Sequence, residues 1–252
     1  MKNQLILHVP HSSINIPWMD GYVVSKEELE QEMLKLTDWY TDDLFNSEED
    51  VMIRADFSRI FCDPERFSED SEEVMSEFGM GVLYEKNDSG QIIRNVTEEY
   101  KKKVLDAFYW KHHQALSQAV NIQLDQFGKA LILDCHSYPS SPLIRDLDQN
   151  PQRPDFNIGT DPFHTPEHLI QLSQDFFDKK GYSLGVDWPY RGALVPLEYY
   201  GKNPNVQSIM LEINRALYLK EPSNDKSVRY EEIKQVVKEY MEVLRGRLSK
   251  LF

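Results

Sequence analysis

An acid and a histidine interrupt a short apolar run near the middle of the chain. The run reads Leu131-Ile132-Leu133-Asp134-Cys135-His136-Ser137. Apolar runs of this length are typical of buried strands, and chemistry in open α/β sheets gathers just beyond the carboxyl ends of the strands. Imidazole is a common zinc ligand and also a general acid or base. We therefore expect His136 to lie at a strand end in a functional site.

Two further segments have the same form. The first is an apolar run over residues 5–9 that opens onto His11, and the second is the run 208–213, which carries Glu212 among apolar residues. Two histidines and a glutamate at strand ends predict a mononuclear metal site with a general base, because three protein ligands and a water form the usual catalytic zinc site. The alternative for each histidine is a hydrogen-bonded polar residue at a strand end.

The other histidines are weaker candidates for metal ligands. His8 lies within the first predicted strand and is expected to support the site or to pack in the core, although it is the next candidate ligand. The remaining four are predicted to lie on the surface of helices or loops: His112, His113, His164 and His168.

The third metal ligand is expected to be a carboxylate of the first predicted helix, residues 26–45. Asp38 and Asp42 are four residues apart in that helix and would share a face. Both are candidates for the ligand. A helical wheel places Asp38 outside the main apolar arc, so an ordinary solvated helix face is the alternative.

Glu212 needs a reason to be buried, because an unpaired acid in an apolar strand costs several kcal/mol. One reason is a role as general base, and the other is a structural ion pair with Arg215. Arginine presents a planar fork that binds carboxylates through two hydrogen bonds. Several arginines lie near strand ends, which predicts an acidic substrate. The alternative for each arginine is a structural ion pair. These arginines are Arg54, Arg59, Arg66, Arg191 and Arg215.

Composition limits the classes of function. The chain has 252 residues with a net charge of −14, which argues against nucleic acid or an anionic membrane as a partner. No apolar run approaches the roughly 20 residues that cross a bilayer. The first apolar run begins close to Met1, which leaves no room for a signal peptide, so a cytoplasmic location is expected. The two cysteines, Cys62 and Cys135, are expected to be buried reduced thiols.

The order of predicted elements indicates one α/β domain over residues 1–252. Strands are predicted at 4–9, 51–56, 130–134, 183–188 and 207–213, and helices at 26–45, 97–127, 167–180 and 226–251, with a hairpin at 80–94 and an irregular loop at 138–166. A capping box of Ser25 and Glu28 is expected to start the first helix, and the second is expected to start at Asn95 with Glu98 and to stop at Gly128. Strands that alternate with long helices predict a largely parallel sheet covered by helices.

Several of these stretches together resemble the N-formylglutamate amidohydrolase family. The matching segments occur in the family's order: Pro10-His11-Ser12-Ser13, residues 38–44, residues 58–67 with Asp63-Pro64-Glu65-Arg66, Asp134-Cys135-His136-Ser137, Pro189-Tyr190-Arg191-Gly192-Ala193, and residues 211–218. The resemblance implies a phosphorylase/hydrolase-like fold, a mixed sheet between helices similar to that of zinc-dependent exopeptidases. It also implies hydrolysis of N-formyl-L-glutamate to formate and glutamate, a late step in one route of histidine breakdown.

The same resemblance assigns roles to residues. His11, Asp38 and His136 become the ligands of one zinc ion, with Asp42 as the substitute for Asp38. Glu212 becomes the general base that takes a proton from water. Four arginines become candidates for holding the carboxylates of a small acidic N-acyl amino acid: Arg59, Arg66, Arg191 and Arg215. The family often has glycine at the positions of Ser13 and Ala193, which bears on the acyl group and amino acid that the pocket accepts.

Two alternatives remain open at the level of sequence. One is a zinc carboxypeptidase or cell-wall amidase on the same fold, against which the expected absence of a signal peptide argues. The other is a non-catalytic binder of acidic ligands, which would have no use for a base such as Glu212 beside a metal. The sequence does not define the oligomeric state.

Overall fold

A six-stranded sheet forms the centre of the computed structural model, which describes residues 4–248. The strands are β1 (Ile6–Val9), β2 (Val51–Arg54), β3 (Ala130–Tyr138), β4 (Phe156–Gly159), β5 (Leu184–Val186) and β6 (Val206–Asn214). Their order across the sheet is β2-β1-β3-β6-β4-β5. Every neighbouring pair is parallel except β4 and β6. The predicted α/β fold with a mixed, mostly parallel sheet is therefore confirmed.

Helices flank this sheet. They are α1 (Lys26–Leu36), α2 (Thr41–Leu44), α3 (Glu98–Val104), α4 (Trp110–Phe127), α5 (Glu167–Lys180) and α6 (Tyr230–Leu248), with a π-helical turn, Leu105–Tyr109, joining α3 to α4. The predicted capping box of α1 is present, because the Ser25 side chain accepts from the Glu28 amide and Glu28 accepts from the Ser25 amide. Among the described residues, no helix has the length and apolar character needed to cross a membrane.

The two faces of the central strands differ in chemistry, because successive side chains of a strand point to opposite faces. One face is apolar and packs into the largest core cluster, which includes Leu7, Leu133 and Leu211 from the three central strands. On the other face the apolar residues give way to polar ones toward the carboxyl ends of the strands. The polar side chains are His8 on β1, Asp134 and His136 on β3, and Glu212 on β6. The core face thus anchors the strands that carry the polar face.

Several local predictions differ from the structure. The helix predicted over residues 26–45 divides into α1 and α2, and the predicted hairpin at 80–94 forms only isolated bridges. Thr97, rather than Asn95, caps the helix that follows. The loop predicted at 138–166 contains β4, and β3 continues to Tyr138, so His136 lies inside the strand. The helix predicted at 226–251 begins at Tyr230, and residues 249–251 lie outside the described part of the chain.

Candidate active site

A cavity of about 710 Å³ opens over the polar face of the sheet at the carboxyl ends of β1, β3 and β6. This is the position at which ligands bind in open α/β sheets. Every site residue expected from the sequence lines this cavity: His11, Asp38, His136, Glu212, Arg59, Arg66, Arg191 and Arg215. The fold therefore gathers residues that are up to two hundred positions apart in the chain.

His11 and His136 face one another across the floor of this cavity. Their ring centroids are 5.1 Å apart, and both side chains are buried. Oδ2 of Asp38 lies between the rings, 3.6 Å from Nδ1 of His11 and 3.1 Å from Nδ1 of His136. Nδ1 of His11 is buried without a hydrogen-bond partner among the described residues. Two imidazole nitrogens and one carboxylate oxygen therefore converge on one small region.

Carboxylates also lie behind both rings. Nε2 of His11 is 2.8 Å from Oδ1 of Asp63, and Nε2 of His136 is 3.1 Å from Oδ1 of Asp134. Histidines that bind metals through one nitrogen commonly donate the other ring N–H to a carboxylate, which fixes the orientation of the ring. Asp63 and Asp134 stand in this relation to the two Nδ1 atoms, which makes these atoms, together with Oδ2 of Asp38, one candidate set of metal ligands.

Glu65 provides a second arrangement that the sequence reasoning missed. The ligand atoms of His11, Glu65 and His136 all lie within 4.8 Å of one another, and so do those of His8, Glu65 and Asp134. Either group could hold a metal ion. Oε1 of Glu65 is 3.2 Å from Nε2 of His136, whereas Asp38 approaches Nδ1 of the same ring. The stretch Asp63-Pro64-Glu65-Arg66 already appeared in the family resemblance and was the signal that could have revealed Glu65.

Asp38 is not on a helix face, contrary to the sequence prediction. It lies between α1 and α2 and is 1% exposed, because the chain turns inward after Leu36 and its Asp38 amide donates to the carbonyl of His11. Burial alone would raise the pKa of Asp38, but the neighbouring imidazoles of His11 and His136 and the charge of Arg215 lower it strongly. Asp42, the predicted substitute, pairs with Arg54 outside the cavity lining.

Glu212 lies beside His136, since the two residues are register partners on β6 and β3. Its side chain is buried, and Oε2 has no hydrogen-bond partner among the described residues. Burial is the main reason that the pKa of Glu212 rises to about 8, with the charge of Asp38 adding to the effect and that of His136 opposing it. The alternative of an ion pair with Arg215 is wrong, because Arg215 pairs with Asp38.

The four arginines predicted to bind substrate differ in the number of protein partners that their guanidinium groups already have. Arg59 donates to Asp63 and Tyr84, and Arg66 pairs with Glu73. Arg215 donates to Asp38, to Ser137 and to the carbonyl of Lys35. Arg191 makes neither a hydrogen bond nor an ion pair with its side chain to any residue in the described range 4–248. Arg191 is therefore the guanidinium with most freedom to bind an incoming carboxylate.

Two of the four histidines predicted to lie on the surface are buried. His164 is 0% exposed and His112 is 6% exposed, so the surface prediction is wrong for both. His112 reaches Nε2 of His8 from α4, and His164 bridges the carbonyl of Val206 and the amide of Gly201. A single helical residue gives no sequence pattern that reveals such a contact. The predicted buried state of Cys62 and Cys135 is confirmed.

Comparison with known proteins places this arrangement in a family. The family model described as N-formylglutamate amidohydrolase matches residues 3–219. The chain belongs to the N-formylglutamate amidohydrolase family. The expectation of an enzyme that hydrolyses an amide is thereby confirmed.

Relatives of this amidohydrolase agree with that assignment. The chain is 23% identical over 229 residues to an N-formylglutamate deformylase of Pseudomonas putida, covering 86% of this chain and 82% of the relative. Its fold is similar to the crystal structure of an N-formylglutamate amidohydrolase from Ralstonia eutropha JMP134, with a TM-score of 0.87, 21% identity and coverage of 100% and 96%. A gene product of Agrobacterium tumefaciens has a TM-score of 0.64 at 15% identity, with coverage of 99% and 91%. At these identities the two solved structures support the fold alone.

Proposed function

We propose that this amidohydrolase cleaves the formyl amide of N-formyl-L-glutamate, or of a closely similar small acidic N-acyl amino acid, with one zinc ion. The observation that carries the proposal is the position of Glu212 beside His136 on the cavity floor, buried and with no hydrogen-bond partner for Oε2 within residues 4–248. A buried carboxylate without a partner is unfavourable for stability. A role in moving a proton explains why it is retained.

The proposed ligands are Nδ1 of His11, Oδ2 of Asp38 and Nδ1 of His136. Three features support this set over one that uses Glu65. Nδ1 of His11 is buried with no hydrogen-bond partner in the described part of the chain, each Nε2 has a carboxylate behind it, and the outer oxygen of Asp38 is held by Arg215. Zinc is the proposed metal because two imidazoles and a carboxylate form a common catalytic zinc site. When bound, the metal ion would polarise the acyl oxygen and lower the pKa of water.

The residues of the chain supply the rest of the reaction. The ionised form of Glu212 takes a proton from the attacking water, whose oxygen forms a bond to the acyl carbon. Glu212 then delivers that proton to the nitrogen as the carbon–nitrogen bond breaks, which releases formate and the amino acid. Proton transfer by the same group in both steps requires it to lie next to the water and the leaving nitrogen. The place of Glu212 in the cavity lining, beside His136, supports this role.

Substrate carboxylates would be held by arginine. We place Arg191 first in this role because its guanidinium is uncommitted, whereas Arg215 is proposed to hold Asp38. Arg59 and Arg66 keep the role as further candidates, since both line the cavity and retain donors beyond their present partners. Charged hydrogen bonds of this kind contribute about 1.5–3 kcal/mol each, enough to select an acidic amino acid.

Formate release measured over a panel of substrates tests the proposal. The panel holds the formyl group constant and varies the amino acid: N-formyl-L-glutamate, N-formyl-L-aspartate, N-formyl-L-glutamine and N-formyl-L-leucine. We expect the highest kcat/KM for the glutamate derivative. Cleavage of carboxy-terminal residues from N-acyl dipeptides without formate release would favour the carboxypeptidase alternative. Saturable binding without turnover in zinc-loaded protein would favour the non-catalytic binder.

A further inference from the structure

A buried series of three side chains runs behind His136. Nε2 of His112 on α4 is 2.8 Å from Nε2 of His8, Nδ1 of His8 is 2.7 Å from Oδ1 of Asp134, and the same oxygen is 3.1 Å from Nε2 of His136. The exposed fraction of these residues does not exceed 6%. At its outer end, His112 lines a second opening of the surface between β2 and α4, away from the catalytic cavity. We call His112, His8 and Asp134 the histidine series.

Asp134 is the fixed point of this series. Its Oδ1 faces ring nitrogens of His8 and His136, and its Oδ2 accepts from the amide of Leu194. Oδ2 is engaged by a backbone N–H and Oδ1 lies at hydrogen-bond distance from two ring nitrogens at once, which is the geometry of a carboxylate that accepts three hydrogen bonds. An ionised carboxylate accepts hydrogen bonds and donates none. The ring nitrogens that face it, Nδ1 of His8 and Nε2 of His136, must therefore carry protons.

The outer end of the series has a matching proton arrangement. Burial, followed by the neighbouring His8, lowers the pKa of His112 to about 2, so its ring is neutral and has one N–H. Two imidazole nitrogens at 2.8 Å share one proton. In the tautomer of His8 that donates from Nδ1 to Asp134, Nε2 is the acceptor, and His112 must donate to it. Each hydrogen bond thus fixes the direction of the next one.

We propose that the histidine series is a positioning device for His136. It holds the Nε2 proton of His136 on Asp134, so that Nδ1 is the nitrogen presented to the metal ion. His8 and His112 act only through Asp134 and touch neither metal nor substrate. This inference rests on the proposed ligand set, in which His136 binds through Nδ1. Outer partners of metal-binding histidines typically change metal affinity by about 10–100-fold when they are replaced.

A different reading of the same residues makes His8 a ligand. Its Nδ1 also lies 3.6 Å from Oε1 of Glu65, and His8, Glu65 and Asp134 could together hold a second ion. The hydrogen-bond distance of 2.7 Å between His8 and Asp134 favours direct contact between those two side chains. The two readings differ in the number of zinc ions that each chain binds.

The test uses paired substitutions along the series. His8→Phe and His112→Phe remove the ring nitrogens and keep aromatic bulk. His8→Asn and His112→Gln place an amide where the bonding nitrogens lie, so each can restore its hydrogen bond. His164→Gln is the matched control, because His164 is an equally buried histidine with two hydrogen bonds and does not line the catalytic cavity.

Zn²⁺ affinity is measured by competition with a chromophoric chelator on each folded variant. We expect His8→Phe to weaken Zn²⁺ binding by about 10–100-fold and His112→Phe to weaken it less. His8→Asn and His112→Gln should recover most of the loss, and the control should bind as the wild type does. If His8→Phe does not fold, the Zn²⁺ affinities of the two His112 variants decide whether the proposal holds. Wild-type affinity in both His112 variants and in any folded His8 variant would overturn the proposal.

The proton on His136 is observed directly by two-bond ¹H–¹⁵N NMR of histidine-labelled, zinc-loaded protein. The proposal requires a proton on Nε2 and none on Nδ1. A proton on Nδ1 with Nε2 bound to zinc would overturn it, as would two zinc ions per chain of which His8→Phe removes one. None of these measurements uses a substrate, so they are separable from failure of the formate-release assay.

Discussion

Arg215 donates from Nη2 to Oδ1 of Asp38 at 2.9 Å, which ties the turn after β6 to the link between α1 and α2. Both side chains are at most 5% exposed. The same guanidinium donates from Nε to the hydroxyl of Ser137 on β3. With Oδ1 occupied, Oδ2 of Asp38 is the oxygen that faces His11 and His136. The ion pair therefore sets the orientation of a proposed metal ligand.

Replacing Arg215 by methionine should leave Asp38 buried without its cationic partner. Removing one partner of a buried ion pair lowers stability by about 3–5 kcal/mol, and we expect a loss of this size in denaturant unfolding. Zn²⁺ affinity should fall as well, because Asp38 loses its orientation. Arg54→Met is the control, since Arg54 and its partner Asp42 are 47% and 35% exposed. Such surface pairs contribute roughly 1 kcal/mol or less. Equal losses in the two variants would contradict this role of Arg215.

The identity of the carboxylate ligand can be decided by isosteric amides. Asp38→Asn should reduce Zn²⁺ affinity by at least about tenfold, since a neutral amide is a weaker ligand and removes one negative charge. Glu65→Gln should have a smaller effect, and Asp42→Asn none. Chelator competition on the three variants measures this order. A larger loss in Glu65→Gln than in Asp38→Asn would transfer the ligand role to Glu65.

Much of the fold was predictable because its signals are local. The capping box at Ser25 and Glu28, the apolar runs of the central strands and the stop of α4 at Gly128 depend on residues near in sequence. The break after Leu36 was not predictable in this way. There the chain leaves the helix because Asp38 bonds to Arg215 and approaches two histidines, and those contacts come from distant segments.

The residues of the site also divide into those with a local sequence signal and those without one. His11, His136 and Glu212 were identifiable because each is a polar residue in or directly after an apolar run. Glu65 lies in an irregular segment without periodicity, and His112 lies on a helix, so neither stood out. Their relation to the site depends on contacts with β1 and β3 that only the folded chain reveals.

Arg191→Met tests the recognition of the substrate carboxylate. Because the Arg191 side chain has no other partner in the described range, we expect little change in melting temperature. Loss of a charged hydrogen bond of about 1.5–3 kcal/mol should lower kcat/KM for N-formyl-L-glutamate by roughly tenfold to a hundredfold. The value for N-formyl-L-glutamine should fall much less if Arg191 binds the side-chain carboxylate. Unchanged kinetics for both substrates would remove Arg191 from the site.

Removal of the metal should abolish activity and leave the fold intact. The core face of the sheet is apolar and independent of the proposed ligands, so circular dichroism after chelation should match that of the zinc-loaded protein. The melting temperature should fall, because an ion that binds only the folded state stabilises it. Added Zn²⁺ should restore both properties. Full activity in protein shown by elemental analysis to hold no metal would contradict the proposed chemistry.

Glu212→Gln tests the central claim most directly, because it retains the size and hydrogen-bonding capacity of the side chain but removes the ability to accept a proton. Turnover, zinc content and melting temperature should be measured on one preparation of each protein. We predict that turnover falls by about two to four orders of magnitude, while zinc content and melting temperature stay close to wild type. Near-normal turnover together with a lower melting temperature would contradict the account, since Glu212 would then be a structural residue.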